Sequence, residues 1–252
     1  MILTELAVIT MYQDDNGAEQ EVDRGLSAFP ENEALEITKV ERTKRYDHRY
    51  IIYFGELQLS VHEDVMIKYR MTRGSCFTRA ELEEIVVADE RQRAYLEGLR
   101  YLGRKPRTAK EMARKLKDKE IAESTAAEVI QRLMEERLID DPLYAKMWTE
   151  QRIRSHRKGK MWIRQELREK GIDKTVISEA LDAVSPEEEE QSALELARKK
   201  WRSTRGEPFE RKRKAGAFLM RRGYPGEMVR RVLGKVADEE NAGDDEEWEE
   251  LW

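Results

Sequence analysis

Of the side chains that most readily carry enzyme chemistry, this 252-residue chain has three histidines and one cysteine. His48, His62 and His156 are scattered without metal-ligand spacing, and Cys76 sits in RGSCFT with no base beside it. A thiol becomes a nucleophile only where a base or a positive field makes its thiolate, so all four read as structural or surface groups. No glycine-rich loop runs into Lys-Ser or Lys-Thr, which argues against a phosphate-binding P-loop. Gly98 and Gly103 lie in a helical run and lack the strand that such a loop requires. Carboxylate pairs abound, but 52 acidic residues make pairs by chance. The expectation is no catalytic residue, no metal, no cofactor and no enzyme. A lone cysteine cannot form an internal disulfide and fits a reducing cytoplasm. No stretch approaches the eighteen apolar residues of a membrane span, and residues 1–10 lack the basic start of a signal peptide. A cytoplasmic monomer without membrane contact is expected.

Binding chemistry is better represented. The net charge of −5 hides strong segregation: residues 1–89 carry −8, 90–185 carry +6, 186–195 carry −5, 196–235 carry +11 and 236–252 carry −9. Blocks of basic charge are the footprint expected for nucleic acid or for an acidic protein groove. The first cluster, Gln151–Gly171, holds eight basic residues against two acidic ones. Arg152, Arg154, Arg157, Lys158 and Lys160 bracket a turn at Gly159 that leads into a helix bearing Arg164, where cations and a helix N-terminus suit phosphates. Trp162 suits core or boundary packing more than base stacking. The second cluster has Arg198, Lys199 and Arg202 in RKKWRSTRG, then Arg211, Lys212 and Arg213 with Arg221 and Arg222 in ERKRKAGAFLMRRG. Residues 211–214 are contiguous, so they point around a helix and cannot all face one partner. A solvated face is the bland account, but +11 over forty residues exceeds what solubility requires. A weaker third set is Arg104, Lys105, Arg107, Lys110, Arg114 and Lys115.

The elements that carry these residues repeat. The apolar frame Ala94, Leu116, Ile121, Ile130, Leu133 returns 51 residues later as Ala145, Leu167, Ile172, Leu181, Val184. It returns 52 residues after that as Ala197, Leu219, Tyr224, Leu233, Val236. A period near fifty marks one unit stacked three times. Each unit reads as three helices. The third carries an amphipathic stripe: Ala126, Val129, Ile130, Leu133; then Ile177, Ala180, Leu181, Val184; then Val229, Val232, Leu233, Val236. Capping boxes are expected at Thr108–Glu111 and Thr125–Glu128, and N-caps at Asp141 and Ser185. Gly171 and Gly223 suit a left-handed helix end. Glu120 stands at that position in the first unit, so its turn must differ or be strained. Helix, tight turn, helix is the geometry of helix-turn-helix units.

Before the repeats, residues 37–44, 49–54 and 56–62 read as a three-stranded antiparallel sheet, with Tyr46–His48 as a turn and HEDVMIKYRM as a short helix. Thr78 and Glu81 form a capping box for a long helix. The organisation expected is 1–34 weakly patterned, with a strand possible at Ile2–Met11; 35–75 a small β segment with a short helix; 76–140 a linking helix plus repeat 1; 141–185 repeat 2; 186–237 repeat 3; and 238–252 an acidic, disordered tail. The −9 tail beside the +11 repeat should compete with any polyanion there. The sheet is expected to be a separable module, cut by proteases near residues 73–90.

LIDDPLYA (138–145), KPRTAKEM (105–112), KGKMWIRQELREKGI (158–172) and FLMRRGY (218–224) together resemble the RecX family, bacterial regulators of the RecA recombinase. The resemblance covers about residues 35–237, and the N-terminal sheet is similar to that of the longer members. It implies a mainly α fold of three tandem three-helix repeats in an elongated, curved array behind a small antiparallel β segment. It also implies a partner, the RecA–DNA filament, whose groove such proteins occupy while suppressing ATP hydrolysis, strand exchange and co-protease activity. Non-specific binding of single- and double-stranded DNA, with steep salt dependence, is expected. On that reading, reversing Arg157, Lys158 and Lys160 together should weaken RecA inhibition with the fold intact. The alternative is a tandem helix-turn-helix transcription regulator, which would need base-reading Asn, Gln and Arg on its recognition helices. The third helices offer few.

Overall fold

A computed structural model describes residues 26–44 and 48–249, with residues 241–249 described by backbone alone. The strand considered at Ile2–Met11 and most of the turn at Tyr46–His48 lie outside the described residues. The chain divides into two compact units, residues 1–100 with 116–129, and residues 101–115 with 130–252.

The first unit is built on the expected antiparallel sheet of β2 (Lys39–Arg42), β3 (Arg49–Phe54) and β4 (Leu57–His62), in the order β2-β3-β4. A two-residue turn with Gly55 at φ 64° pairs Phe54 with Leu57. A second ladder, β1 (Leu35–Glu36) with β5 (Cys76–Phe77), is too short to leave a period in the sequence. His62 caps the short helix α1 (Glu63–Lys68), its ring accepting from the Asp64 N–H. The core holds Ile37, Ile52, Phe54, Leu59, Val61, Val65 and Met71, together with Leu26 and Phe29 from the weakly patterned N-terminal stretch.

The long helix α2 (Arg79–Leu102) starts at the expected Thr78–Glu81 box. It is part of the sheet's core rather than a linker, because Leu82 and Ile85 are fully buried in that cluster. Asp89 reinforces this. Its carboxylate accepts from Arg49 on β3 (2.9 Å) and from the His62 N–H at the end of β4 (2.6 Å). Arg49 also donates to the Ser60 carbonyl (2.8 Å). Cleavage near 73–90 is therefore not expected after all, since much of that segment is helix packed into the sheet's core.

The repeats are α2–α3–α4, α5–α6–α7 and α8–α9–α10, where α3 is Ala109–Lys117, α4 Glu123–Glu135, α5 Asp141–Arg154, α6 Lys160–Glu169, α7 Lys174–Asp182, α8 Pro186–Arg202, α9 Pro208–Arg221 and α10 Gly226–Glu249. Every residue of the recurring frame is buried except Ile130, which is half-buried. Burying each large aliphatic side chain contributes roughly 1.5–3 kcal/mol. The caps follow expectation at Thr108 and Ser185. Two do not. Asp140, not Asp141, caps α5 by accepting from the Leu143 N–H. Thr125 lies inside the first turn of α4, and Glu128 pairs instead with Arg91.

The acidic segment 238–249, expected to be disordered, is helical as the continuation of α10. Charge rather than apolar periodicity ties its start to the body. Glu240 pairs with Arg211 on α9 and accepts from the Trp201 indole (2.9 Å), while the more exposed Glu239 faces Arg198 on α8 without contributing much to that tie.

Consecutive repeats meet at a repeated junction within the second unit. Where repeat 1 meets repeat 2, the Thr108 hydroxyl donates to the Lys170 carbonyl (2.7 Å) and the Ala109 N–H donates to Asp141 (3.0 Å). Lys170 pairs with Glu111 (2.9 Å). Where repeat 2 meets repeat 3, the Gly159 and Met161 N–H groups donate to the Arg222 and Gly223 carbonyls (2.9 and 3.2 Å). The Lys160 N–H donates to Glu189 (2.9 Å). In both, a carboxylate from the first turn of one repeat's leading helix satisfies an open N–H at the start of the preceding repeat's second helix.

The turn residues Glu120, Gly171 and Gly223 all adopt left-handed backbone, at φ 57°, 84° and 89°. So the Glu120 turn has the same form as the others and carries the strain. The glycines answer a further demand. A Cβ on Gly171 would collide with the Lys110 side chain, and one on Gly223 with the Trp162 backbone. Glu120 is exposed.

Three substitutions test these assignments by chemical denaturation. Gly223→Ala should cost about 3 kcal/mol or more, since strain and backbone collision add. Glu120→Gly should stabilise by about 0.5–1 kcal/mol, as left-handed strain is relieved against glycine's entropy. Asp89→Ala should cost about 3–5 kcal/mol by stranding a buried guanidinium. A loss no larger than the ~1 kcal/mol typical of a surface pair would contradict the Asp89 clamp.

Candidate functional site

The fourteen basic residues singled out in the sequence do not form one free surface. In repeat 2, Arg152 is half-buried at the end of α5. It stacks on Trp148, 3.9 Å from the ring centroid, and donates to Glu166 (2.7 Å). Burial pushes the Glu166 carboxyl up, but hydrogen bonds from Arg152, Trp162 and Trp148 outweigh it and hold the group below the usual carboxylate range. Lys160 spends its ammonium on the Val184 carbonyl (2.8 Å), the C-terminal end of α7. Arg157 takes left-handed backbone at φ 46° and pairs with Glu195 of α8 (2.8 Å), both side chains half-exposed. Arg154 lies 3.7 Å from Glu188. Lys158 stands 3.3 Å over the Trp162 ring. Burial, then the Arg222 charge, pushes its ammonium below the usual lysine value; Glu166 opposes this shift and Arg152 adds to it. Trp162 thus serves as a packing and cation-π platform, and Arg164 is exposed on α6 with no ion pair among the described residues.

Repeat 3 divides in the same way. Arg198 is paired with Glu239 and Arg211 with Glu240, and Arg211 also lies over the Trp201 ring (4.6 Å). Arg222 donates to the His156 carbonyl (3.0 Å). Lys199, Arg202, Lys212, Arg213 and Arg221 are exposed and make no ion pair among the described residues. In the weaker third set, Arg107 is half-buried on the Tyr101 ring (4.0 Å) and the Lys110 stem packs against Gly171. Arg104, Lys105 and Arg114 are exposed.

The set therefore splits by role. Arg152, Lys160, Arg211 and Arg222 hold elements together. Arg164, Lys199, Arg202, Lys212, Arg213 and Arg221 are exposed and make no ion pair among the described residues. Two adjoining depressions join parts of both groups. One is lined by Ser155, His156, Arg157, Glu195, Lys199 and Arg222, and the other continues past Arg198 to Arg202. In the sequence the glutamates of α8 showed only as the −5 block at 186–195. The structure uses them further: Glu189 at the repeat junction, Glu190 against Arg231 and Lys235, and Glu195 against Arg157. Reversing Arg157, Lys158 and Lys160 would consequently disturb packing as well as charge.

Two of the residues set aside as non-catalytic have structural tasks. His48 and His62 come within 6.2 Å by ring centroid, nearer than their sequence separation suggested, with His48 bonded to Glu63 (2.7 Å) and His62 capping α1. Among the described residues no helix is long and apolar enough to cross a membrane.

The repeats match known proteins in order. Models of the first, second and third three-helix domains of RecX match residues 94–133, 140–181 and 187–233. The regulatory protein RecX of Bacillus cereus strain B4264 is 33% identical over 220 residues, covering 85% of this chain and 80% of that protein. That of Bacillus thuringiensis strain Al Hakam is 32% identical over the same extent. A crystal structure of regulatory protein RecX superposes with a TM-score of 0.68 at 31% identity, covering 81% of this chain and 99% of the other. RecX from Lactobacillus salivarius gives 0.56 at 26% identity, covering 60% and 98%. With its repeats matched one by one and relatives above 30% identity along most of its length, this chain belongs to the RecX family of regulatory proteins.

Proposed function

We propose that this protein regulates the RecA recombinase, chiefly as an inhibitor, by lying along the groove of the RecA–DNA filament and suppressing ATP hydrolysis, strand exchange and co-protease activity. The observation that carries this reading is the in-order match of all three RecX domains. The free cations of repeats 2 and 3 support it. Several separated weak contacts on a repeat array add to useful affinity when they engage together, and exposed lysine and arginine side chains suit phosphate without reading sequence. A monomer in the cytoplasm, binding single- and double-stranded DNA non-specifically, accords with this role.

The transcription-regulator reading is weaker. A recognition helix needs free polar side chains to meet base edges. On α4, Gln131 and Arg132 are tied to Glu135 and Glu136. Helix α7 carries a single basic residue, Lys174, in its first turn, and of the Arg230–Arg231 pair on α10 the second is tied to Glu190.

Titration into RecA's single-stranded-DNA-dependent ATP hydrolysis tests the proposal. Inhibition is expected well below one molecule per RecA protomer. No effect at low salt, with DNA binding confirmed separately, would overturn it. Reversing Arg164, Lys212, Arg213 and Arg221 to glutamate should weaken inhibition at least tenfold with helicity unchanged, and full inhibition by that variant would exclude this set from the interface.

A further inference from the structure

The adjoining depressions beside α8 contain cations of two kinds. Lys199 and Arg202 are exposed and make no ion pair among the described residues. Arg157 and Arg198 each face one internal carboxylate, Glu195 at 2.8 Å and Glu239 through a two-point contact. Both pairs are half-exposed: 44% and 45% for Arg157 and Glu195, 38% and 46% for Arg198 and Glu239. Ion pairs this wet contribute little to stability, so holding the fold together does not account for them. They do hold two flexible guanidinium groups in fixed positions, each with an oxyanion already seated on it. A phosphate oxygen makes the same charge-assisted, two-point contact with arginine as a carboxylate. The lining also selects among polyanions. Among the described residues that line it, Leu196 alone is apolar, and it is buried, whereas the centre of a protein–protein interface is apolar and aromatic.

We infer that this groove, formed by the turn between α5 and α6 and the C-terminal half of α8, is a phosphodiester-binding track that Glu195 and Glu239 occupy as internal phosphate mimics until nucleic acid displaces them. Arg157, Arg198, Lys199 and Arg202 are its cations, and Arg222 lies at its edge, held by the His156 carbonyl. Glu239 stands on α10, whose acidic extension runs on to Glu249. The helix that closes the repeat therefore also brings the competing charge. The hydrogen bond from Arg157 holds Glu195 below the usual carboxylate range, and that from Arg198 does the same for Glu239. Both arginines thus favour the charged carboxylates that compete with a phosphate.

The inference rests on the DNA-binding part of the proposed function and adds where the backbone lies and what opposes it. The test is fluorescence anisotropy of a labelled oligothymidylate with the full chain across a salt series. Glu195→Gln with Glu239→Gln should tighten binding severalfold at low salt and leave the melting temperature unchanged, since both sites are wet. Lys199→Gln with Arg202→Gln should weaken binding and make the slope of log K against log salt shallower by about 1.4, two single-strand phosphate contacts at about 0.7 each. Unchanged affinity and slope in both double variants, with wild-type binding intact, would overturn the groove while leaving DNA binding standing. A wild-type chain that binds no oligonucleotide at low salt would remove that reading as well. Tighter association of the glutamine variants with RecA alone, without any change on DNA, would assign the groove to an acidic protein surface and overturn the inference.

Discussion

The contact between one repeat's left-handed turn and the start of the preceding repeat's second helix is the constraint on which the second unit depends. A helix start leaves N–H groups without intrahelical partners. Here they are met by carbonyls of the turn at Arg222 and Gly223 and by the Glu189 carboxylate. One set of bonds thus finishes a helix, fixes the distance between repeats and sets their register. It also explains the sequence. A turn that receives a neighbour's backbone tolerates no Cβ, so glycine stands at 223, and at 171 the Lys110 stem occupies the space a Cβ would need. At an exposed turn the same backbone costs only local strain, and Glu120 suffices. Tyr224, at a frame position held by isoleucine in the other repeats, contributes too. Burial pushes its phenol above the usual tyrosine range, and its hydroxyl meets Ser192, which also donates to the Ile153 carbonyl.

Charge does the remaining work, and in two ways. Arginines stacked on tryptophan and shielded from water, such as Arg152 and Arg211, act as struts. A cation flattened on an aromatic face while bonded to a carboxylate loses little and immobilises both partners. Exposed cations on the outer faces of α6, α8 and α9 have no such task. Because the struts and junction bonds fix the helices, these free groups stand in a set pattern rather than on independent tethers. On the proposed function, such a pattern suits a filament-bound regulator, since separated contacts reinforce one another only when their spacing is held.

Much of this was legible in the residues. The frame from Ala94 to Val236 predicted three repeats of three helices because apolar period and repeat length are both local in the chain. The sheet at 39–62 and the boxes at Thr78 and Thr108 were legible for the same reason. What escaped was non-local. Nothing near Asp89 announces that it will hold Arg49, forty residues away, and tie α2 to the sheet. Asp140 and Asp141 are equally good caps until the structure gives Asp141 a different N–H to satisfy. The segment after 237 lacks an apolar stripe and so reads as disordered, yet Glu240 binds its start to repeat 3 through Arg211 and the Trp201 indole. The basic set was visible only as charge, without distinguishing struts from free cations, because that division depends on which carboxylates and carbonyls lie opposite, such as Glu166 for Arg152 and the His156 carbonyl for Arg222.

The central claim is that repeats 2 and 3 form one body through the junction at Gly159, Met161 and Gly223. Native-state hydrogen exchange of the Gly159 and Met161 amides tests it most directly. If the junction is integral, both exchange only through global opening of the second unit, with protection equal to that of buried Leu219 in α9. Rapid exchange of these two amides while Leu219 stays protected would show the repeats parting independently, and would contradict the account.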